Sequence, residues 1–397
     1  MPAVFSNNFS SFSGMAYNLG MTEINLVLPY ALPAPEMAPD LVRALTTPAL
    51  AALLSRHSDA KTNIYDNNSR VLPHEAWLAH ALGLAPAPDR PDAGAPVATA
   101  AMGGCGAELA ALAADGHWFI VQPANIQISR THSLLSDPRA LQLTEAESCA
   151  LYDIARPYFE EIGKPLVYAT PGLWFVRADD WAGLRTASPD AATTQYISDW
   201  VPEGERARDY RKLQNEIQML WHEHPVNEAR HARGLQQVNT FWLWGGAGPV
   251  TSAAPAAASA SASSLWIASA GAPSWMQALA AADHRAPEPA RLIAEAGHGA
   301  GGVAATATAT VLLAELIPSA QTGDWSDWLA RMHRLEQEWF APLLAALVDG
   351  RIGRVTLVLS HRHSWMTVAS TKLAQRKFWR KQTLNTLLST NTSTPRT

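Results

Sequence analysis

The sequence predicts an α/β protein with a largely parallel sheet covered by helices on both faces. Short apolar segments, such as residues 22–30 and 355–359, have the length and composition of buried strands. Longer segments, such as residues 324–348, repeat apolar residues at helical spacing. Strands that alternate with helices in this way are typical of parallel sheets buried on both sides. The chain has 397 residues, 48% of them hydrophobic, which is enough for a large core.

The first half of the chain predicts strands separated by short helices. Residues 22–30 form the first strand, and a helix over 36–56 should kink or split at Pro48. Thr144 and Glu147 have the spacing of a capping box, so a helix should run from there to about Glu161. The remaining elements predicted here are a helix over 74–84, two strands within 117–130 and a hairpin over 165–176.

The second half continues the alternation. An apolar stripe predicts a helix that ends near Trp221, and Pro225 should stop it. Asp324 or Ser326 should cap the helix over 324–348, which Pro342 should bend. The strands predicted here are residues 238–244, 265–268, 304–317 and 355–359. A short helix is predicted over residues 274–282.

Composition limits the domain organisation and the classes of partner. We expect a flexible leader over residues 1–21 and a single α/β domain over 22–397, with an inserted or cap region around 85–200. The net charge of −5 argues against general affinity for nucleic acid. No apolar run reaches the roughly 18 residues that a membrane span needs. Cys105 and Cys149 are too few for a disulfide framework, which indicates a reducing, cytoplasmic location.

The best candidate for a ligand site lies within residues 215–249, where a short polar helix precedes an aromatic strand and a glycine-rich loop. Glycines after a strand allow backbone amides to approach an anion, and an arginine can bind a carboxylate or phosphate through two hydrogen bonds. We therefore predict a site for a small phosphorylated or carboxylate ligand, although two glycines after a strand can also form an ordinary turn. Its residues are Asn227, Arg230, Asn239, Trp244, Gly245, Gly246 and Gly248.

Two histidine pairs could serve as metal ligands. His361 and His363 follow a predicted strand, and alternate residues of a strand project to one face. Together with Asp324 they form an alternative site for Mn or Zn. His222 and His224 end a helix, where the helix dipole favours a histidine cation. Surface or capping roles explain both pairs better than metal binding does, since neither pair has carboxylates at a recognisable metal spacing.

A basic segment with two aromatic residues lies near the end of the chain. Arg376, Lys377, Arg380 and Lys381 surround Phe378 and Trp379. Such a segment can contact nucleic acid, but it is also typical of a solvated helix end.

The segment HPVNEARHARGL…VNTFWLWGGAG resembles the archaeal-type cofactor-independent phosphoglycerate mutases, and more closely a bacterial group of RpfE-type regulatory proteins. The resemblance covers most of the chain in outline and about 35 residues closely. It implies an alkaline-phosphatase-like fold and an anion pocket. The residues that carry it are Asn239, Trp242, Trp244, Gly245 and Gly246, then Gly323, Asp324 and Trp328, the pair Leu335-Glu336, the run Trp339-Phe340-Ala341-Pro342, and Phe378-Trp379-Arg380.

The chain departs from the mutases where they bind metal. Their first strand supplies a carboxylate at once, whereas here none follows the strand until Glu36. The nearest analogue of their final Asp-His pair is Ser360-His361, which has no carboxylate. Two-metal phosphoryl transfer needs several such ligands. The sequence therefore favours a regulatory or ligand-sensing protein without catalytic residues or cofactor. The alternatives are a phosphoryl-transfer enzyme with a rearranged Mn or Zn site, and a protein that binds partners through a Trp-rich face.

Overall fold

A computed structural model describes residues 23–66, 68–84, 94–128, 133–249, 263–267, 269, 271–280, 284, 288–297 and 308–391. The expected leader, residues 1–21, lies outside these ranges. The strands of the described part are β1 Glu23–Leu28, β2 Asp59–Ile64, β3 Trp118–Ala124, β4 Ile126–Ile128, β5 Ser133–Leu135, β6 Leu166–Thr170, β7 Leu173–Arg177, β8 Thr240–Ala247, β9 Ser263–Ile267, β10 Thr308–Leu312, β11 Arg354–Ser360 and β12 Ser364–Thr371.

Helices connect most of these strands. They are α1 Ala38–Ala44, α2 Pro48–Ser55, α3 Pro73–Ala81, α4 Ala98–Gly103, α5 Ala107–Leu112, α6 Glu145–Glu161, α7 Pro189–Ala192, α8 Ala207–His222, α9 Pro225–Ala232, α10 Ser274–Ala278, α11 Pro289–Gly297, α12 Ile317–Thr322, α13 Trp325–Leu335, α14 Ala341–Asp349 and α15 Lys372–Gln375. No helix among the described residues is long and apolar enough to cross a membrane.

The central sheet is mostly parallel, as predicted. Its strand order is β2-β12-β11-β1-β10-β9, and β1 pairs in parallel with both β10 and β11. The edge formed by β12 and β2 is antiparallel, and the sequence analysis predicted neither strand. The reason is clearest for β2, whose sequence DAKTNI is polar and whose residues are all exposed. A polar edge strand lacks the apolar signal by which a buried strand is predicted.

A second, antiparallel sheet has the order β6-β7-β3-β8. The predicted hairpin over 165–176 is confirmed as β6 and β7. Strand β7 pairs with β3 across more than 50 residues of sequence, and β3 pairs with β8 across more than 110, so local patterns could not reveal either pairing. The prediction of a largely parallel sheet therefore holds for the central sheet alone.

Several predicted helix signals are confirmed. The helix predicted over 36–56 is split into α1 and α2, and Pro48 is the first residue of α2. Thr144 and Glu147 form the capping box at the start of α6. Asp324 caps α13 by accepting a hydrogen bond from the Asp327 amide. A π-helical turn over Glu336–Phe340 separates α13 from α14, and Pro342 lies in the first turn of α14.

One core joins the two sheets. Val27 and Val358 of the central sheet belong to the same buried cluster as Ile120, Trp242 and Trp244 of the antiparallel sheet. Separate cores cover the opposite face of each sheet. The C-terminal ends of β1 and β11 consequently lie near a layer of side chains supplied by the second sheet and its connections.

Candidate functional site

Asn227, the first residue of the predicted ligand site, is buried, and its side-chain amide forms hydrogen bonds with the backbone of the protein. Its side-chain nitrogen donates hydrogen bonds to the carbonyl oxygens of Trp221 and Val238, both at 2.8 Å. Its side-chain oxygen accepts a hydrogen bond from the Val238 amide, also at 2.8 Å. The residue therefore ties the end of α8 to the chain that enters β8.

Arg230 is completely buried in α9. Its guanidinium donates to the carbonyl oxygens of Gln236 and Leu141, at 2.8 and 2.5 Å, and forms an ion pair with Glu147 at 2.8 Å. Glu147 also forms the capping box of α6 and an ion pair with Arg233. The arginine that was predicted to bind a ligand thus holds α9 against the start of α6.

Asn239 and Trp244 also make contacts within the fold. The Asn239 amide exchanges two hydrogen bonds with the backbone of Ile126, at 2.8 and 2.9 Å. The Trp244 indole nitrogen donates to the Gln122 side-chain oxygen at 2.7 Å, and the Gln122 nitrogen donates to the carbonyl oxygen of Gly172 at 3.2 Å. Trp244 therefore positions Gln122.

The glycines that were expected in a loop continue strand β8 to Ala247. The pairing register with β3 shifts opposite them, which marks a bulge. Gly245 has a φ of +72°, and a side chain at Gly246 would meet the Phe119 ring at 2.4 Å. Gly248 lies beyond the strand, and a Cβ atom there would meet nothing within 4 Å. The structure thus uses Gly245 and Gly246 for packing between strands.

The alternative metal-site residues have different surroundings. The rings of His361 and His363 are 6.0 Å apart, whereas the Asp324 carboxylate caps α13. Burial lowers the pKa of His361 to about 4 and also lowers that of His363, and the neighbouring charges contribute to both shifts. Within the described ranges, no group of three or more His, Cys, Asp or Glu side chains could hold a metal ion.

A different set of polar residues meets at the C-terminal ends of β1 and β11. Tyr30 lies two residues beyond β1, and Arg362 lies two residues beyond β11. His74 and Glu75 of α3 lie beside them, and the rings of Tyr30 and His74 are 5.8 Å apart. In open parallel sheets, ligands bind at the C-terminal ends of the strands. We call Tyr30, His74, Glu75, Arg139, Asp190, Gln321 and Arg362 the strand-end cluster.

The strand-end cluster contains an unusual concentration of unsatisfied polar atoms. Twelve buried side-chain nitrogen or oxygen atoms of the described residues form no hydrogen bond of regular geometry. Four belong to this cluster: the Tyr30 hydroxyl, Nε2 of His74, Oε1 of Glu75 and Nη1 of Arg139. Two of the four have polar groups beside them, since the Tyr30 hydroxyl faces Gln321 and Arg362 and the Glu75 carboxyl faces Ser188. Because a buried polar atom without a partner costs about 1–3 kcal/mol, polar ligand atoms or water would stabilise His74 Nε2 and Arg139 Nη1.

Arg139 is the centre of a hydrogen-bonded network. It donates to the Asp137 carboxylate at 2.8 Å and, through Nη2, to Asp190 and Gln321, both at 2.8 Å. The Gln321 nitrogen in turn donates to Asp190 at 3.2 Å. Two carboxylates therefore balance the charge of Arg139.

Arg362, in contrast, forms no ion pair with a carboxylate of the described chain. It donates one hydrogen bond to the carbonyl oxygen of Ala191 at 2.5 Å, and its guanidinium lies 5.1 Å above the Trp200 ring. The Tyr30 hydroxyl faces Arg362 and Gln321. Arg362 is thus a cation in a partly buried site, and its surroundings include the Glu75 carboxyl as well as dipoles and rings.

Arg362 lines a cavity of about 140 Å³. The other lining residues are Tyr30, Leu32, Ala34, Thr194, Ala320, Gln321, Trp325 and His361. The backbone is strained at two of them, since Tyr30 has a φ of 58° and Thr194 a φ of 68°. Conformations of this kind occur preferentially at functional sites. A second cavity, of about 70 Å³, is lined by Arg139, its partners Asp137 and Asp190, and Gln122.

Burial sets the protonation states of the cluster. It raises the pKa of Glu75 to about 8 and that of Tyr30 to about 12. It lowers the pKa of His74 to about 3, and the charge of Arg139 adds to this effect. Near pH 7, therefore, Glu75 is mostly protonated and His74 and Tyr30 are neutral. The positive charge of Arg362 is then balanced by no carboxylate beside it.

Sequence analysis missed every residue of the strand-end cluster because its members come from six separate segments. Only Ser360-His361, next to Arg362, was considered, as an analogue of a catalytic pair. A usable signal was present in the positions just beyond the predicted strands 22–30 and 355–359. In a parallel sheet the residues that follow such strands meet at one edge.

Comparisons with known proteins give a distant structural likeness. No family model and no curated protein matches the sequence. The structure is similar to the cofactor-independent phosphoglycerate mutase from Thermoplasma acidophilum, with 14% identity, a TM-score of 0.42 and coverage of 93% of this chain and 95% of that one. It is also similar to a protein from Pyrococcus horikoshii, with 11% identity, a TM-score of 0.46 and coverage of 94% and 93%.

Proposed function

We propose that the protein binds a small phosphorylated or carboxylate ligand at Arg362, as a regulatory, ligand-sensing protein without catalytic activity. The observation that carries the proposal is a partly buried arginine without a carboxylate partner, in a cavity beside unsatisfied polar atoms. Arginine binds carboxylates and phosphates through paired hydrogen bonds. The RpfE-type regulatory role and the cytoplasmic location implied by the sequence belong to this proposal.

The charges of the cluster support an anion as the ligand. A bound anion would add the negative charge that Arg362 lacks, whereas a cation would meet a guanidinium in a partly desolvated site. The Tyr30 hydroxyl can donate a hydrogen bond to an anion, because a tyrosine is protonated near neutral pH and burial raises its pKa further, to about 12. Gln321 also lines the cavity, where its amide is held by Arg139 and Asp190 and faces the Tyr30 hydroxyl.

The cavity also limits the size of the ligand. About 140 Å³ corresponds to the volume of roughly five water molecules in the liquid. A phosphate group or a short carboxylic acid has this size, whereas a nucleotide is much larger. The ligand should therefore be a small metabolite with one or two anionic groups.

The alternative, a phosphoryl-transfer enzyme with a rearranged metal site, makes different predictions. It requires Mn or Zn at positions such as His361, His363 and Asp324. Metal analysis of protein purified without a chelator, together with a mutase assay in manganese, separates the two functions. Stoichiometric metal with turnover would replace the non-catalytic proposal.

The ligand proposal is tested by thermal unfolding with added inorganic phosphate, phosphoglycerate and short dicarboxylic acids. At a concentration near 100 times the Kd, a ligand specific for the folded state stabilises it by about 2.7 kcal/mol. We expect at least one of these anions to stabilise the wild type, and Arg362→Gln to abolish most of the effect. Arg206→Gln removes a half-exposed arginine elsewhere and should leave it unchanged.

The same measurement compares the two locations considered for the site. If Arg230→Ala remains folded and is still stabilised by the anion, Arg230 does not bind it. If the anion effect is lost in Arg230→Ala and kept in Arg362→Gln, the ligand binds near residues 227–248 and the strand-end proposal is wrong. Absence of stabilisation of the wild type by any of the anions would also contradict it.

A further inference from the structure

A second feature, separate from the strand-end cluster, lies on the surface just after β12. Two large aromatic side chains are exposed next to each other, Phe378 by 82% and Trp379 by 69%. Their ring centroids are 5.3 Å apart and their planes nearly perpendicular, and Leu373 of the preceding helix α15 is 73% exposed. Folded proteins seldom expose adjacent aromatic rings without a binding role. We call Leu373, Arg376, Lys377, Phe378, Trp379, Arg380 and Lys381 the aromatic–basic patch.

The patch is held in place by contacts with the segment at the end of α2. Lys377 Nζ donates to the carbonyl oxygen of His57 at 2.9 Å, and Arg380 donates to that of Ser55 at 3.3 Å. The Ser55 hydroxyl exchanges hydrogen bonds with the backbone of Thr383, at 3.0 and 2.9 Å. These contacts fix the turn that carries Phe378 and Trp379 on both of its sides.

The patch also carries a local excess of positive charge on an acidic protein. Arg376, Lys377, Arg380 and Lys381 contribute four cations to a chain whose net charge is −5. None forms an ion pair with a carboxylate of the described residues, whereas Arg351 nearby pairs with Asp349 at 3.2 Å. The charge around the two rings is therefore available to an anionic partner.

We propose that the aromatic–basic patch is a docking surface for an acidic, partly apolar segment of another protein. Exposed tryptophan and arginine side chains are the residues that most often dominate protein interfaces. The backbone anchors hold the turn that carries the rings and engage two of the cations, which reduces the entropy lost on binding a partner of defined shape. Binding to a lipid or nucleic-acid surface requires no such fixed arrangement of two rings, and the acidity of the whole chain opposes both.

The proposal is tested with the full chain and a short fluorescein-labelled peptide in which glutamate and leucine alternate. Fluorescence anisotropy should show binding at low ionic strength that weakens as salt is added. The double variant Phe378→Ala/Trp379→Ala should weaken binding by about tenfold or more. Arg376 and Lys381 do not take part in the anchoring contacts described above. The variant Arg376→Gln/Lys381→Gln should therefore also weaken peptide binding and reduce the salt dependence of that binding.

Matched variants on α8 provide the controls. Arg211→Gln/Lys212→Gln makes the same change in net charge at exposed positions, and Met219→Ala removes an apolar side chain that is 75% exposed. Both should bind the peptide like the wild type. Circular dichroism of every variant should match that of the wild type. If the variant Phe378→Ala/Trp379→Ala does not fold, the comparison of Arg376→Gln/Lys381→Gln with Arg211→Gln/Lys212→Gln decides.

Four results would overturn the proposal. The first is no binding of the glutamate–leucine peptide by the wild type, and the second is equal binding by the patch variants and the controls. The third is equal binding of a peptide in which serine replaces glutamate. The fourth is preferential binding of phosphatidylserine vesicles, of DNA or of a second copy of the chain through the same residues.

Discussion

Replacement of Glu75 by glutamine should stabilise the protein, and more so as the pH rises. Glu75 is 1% exposed, and burial raises its pKa from 4.5 to about 8. Its Oε2 accepts a hydrogen bond from the Leu72 amide at 3.0 Å, which a glutamine oxygen can also accept. The glutamine nitrogen can donate toward Ser188, which already faces the carboxyl group. The substitution therefore removes the ionisation and keeps the shape.

The magnitude follows from the difference in pKa between the folded and unfolded states. A group whose pKa is raised in the folded state contributes stability that is fully present below the unfolded pKa and is lost as the pH rises through the folded pKa. For Glu75 this window runs from 4.5 to about 8. A pKa difference of about 3.5 corresponds to about 5 kcal/mol. Because the side chain is almost fully buried, solvent screening reduces this value little.

Urea unfolding at several values between about pH 4 and pH 9 measures the effect. The wild type and Glu75→Gln should differ least at the acidic end, and the stability advantage of the variant should grow to several kcal/mol above pH 8. All other ionisable groups are common to both proteins and cancel in the difference. Glu216→Gln, on the exposed side of α8, controls for the loss of one carboxylate.

The reasoning would be refuted by a stability difference that does not change with pH. It would also be refuted if the wild type were the more stable protein above pH 7, since an ionised Glu75 would then be favoured by the fold. The second result would point to an ion pair between Glu75 and Arg362. The charge of Arg362 would then be balanced, and the anion proposal would lose its main support.

Two further predictions concern residues of the sequence-predicted site. Arg230→Ala should destabilise the protein by about 3–5 kcal/mol in chemical denaturation, because it breaks a buried ion pair and removes the donor to the carbonyl oxygens of Gln236 and Leu141; a loss below about 1 kcal/mol would contradict its structural role. Gly246→Ala should cost about 1–3 kcal/mol because the new Cβ atom would meet the Phe119 ring, whereas Gly248→Ala should change stability by less than about 0.5 kcal/mol. Equal effects of the two alanines on the thermal midpoint would contradict the packing argument.

Local signals in the sequence predicted much of the secondary structure. Thr144 and Glu147 form the predicted capping box, and Asp324 caps α13. The hairpin over 165–176 and the buried strands at 22–30 and 355–359 also occur as predicted. Each of these depends on residues a few positions apart, so the chain itself carries the information.

Local signals did not show which polar side chains are free to bind a ligand. The segment 215–249 is the densest in polar and glycine residues, but a local pattern cannot tell which partners each side chain meets. The structure directs Asn227 and Arg230 into contacts with Val238, Glu147 and neighbouring backbone atoms.

The sequence by itself determined the position of many helices and buried strands, because caps, prolines and apolar periodicity act over a single turn or strand. Only the tertiary structure decided which polar groups stay unsatisfied. Tyr30 and Arg362 are distant in sequence and meet because β1 and β11 are parallel neighbours whose ends share one edge, and α3 brings Glu75 beside them. Burial then changes their pKa values, and burial is a property of the assembled fold.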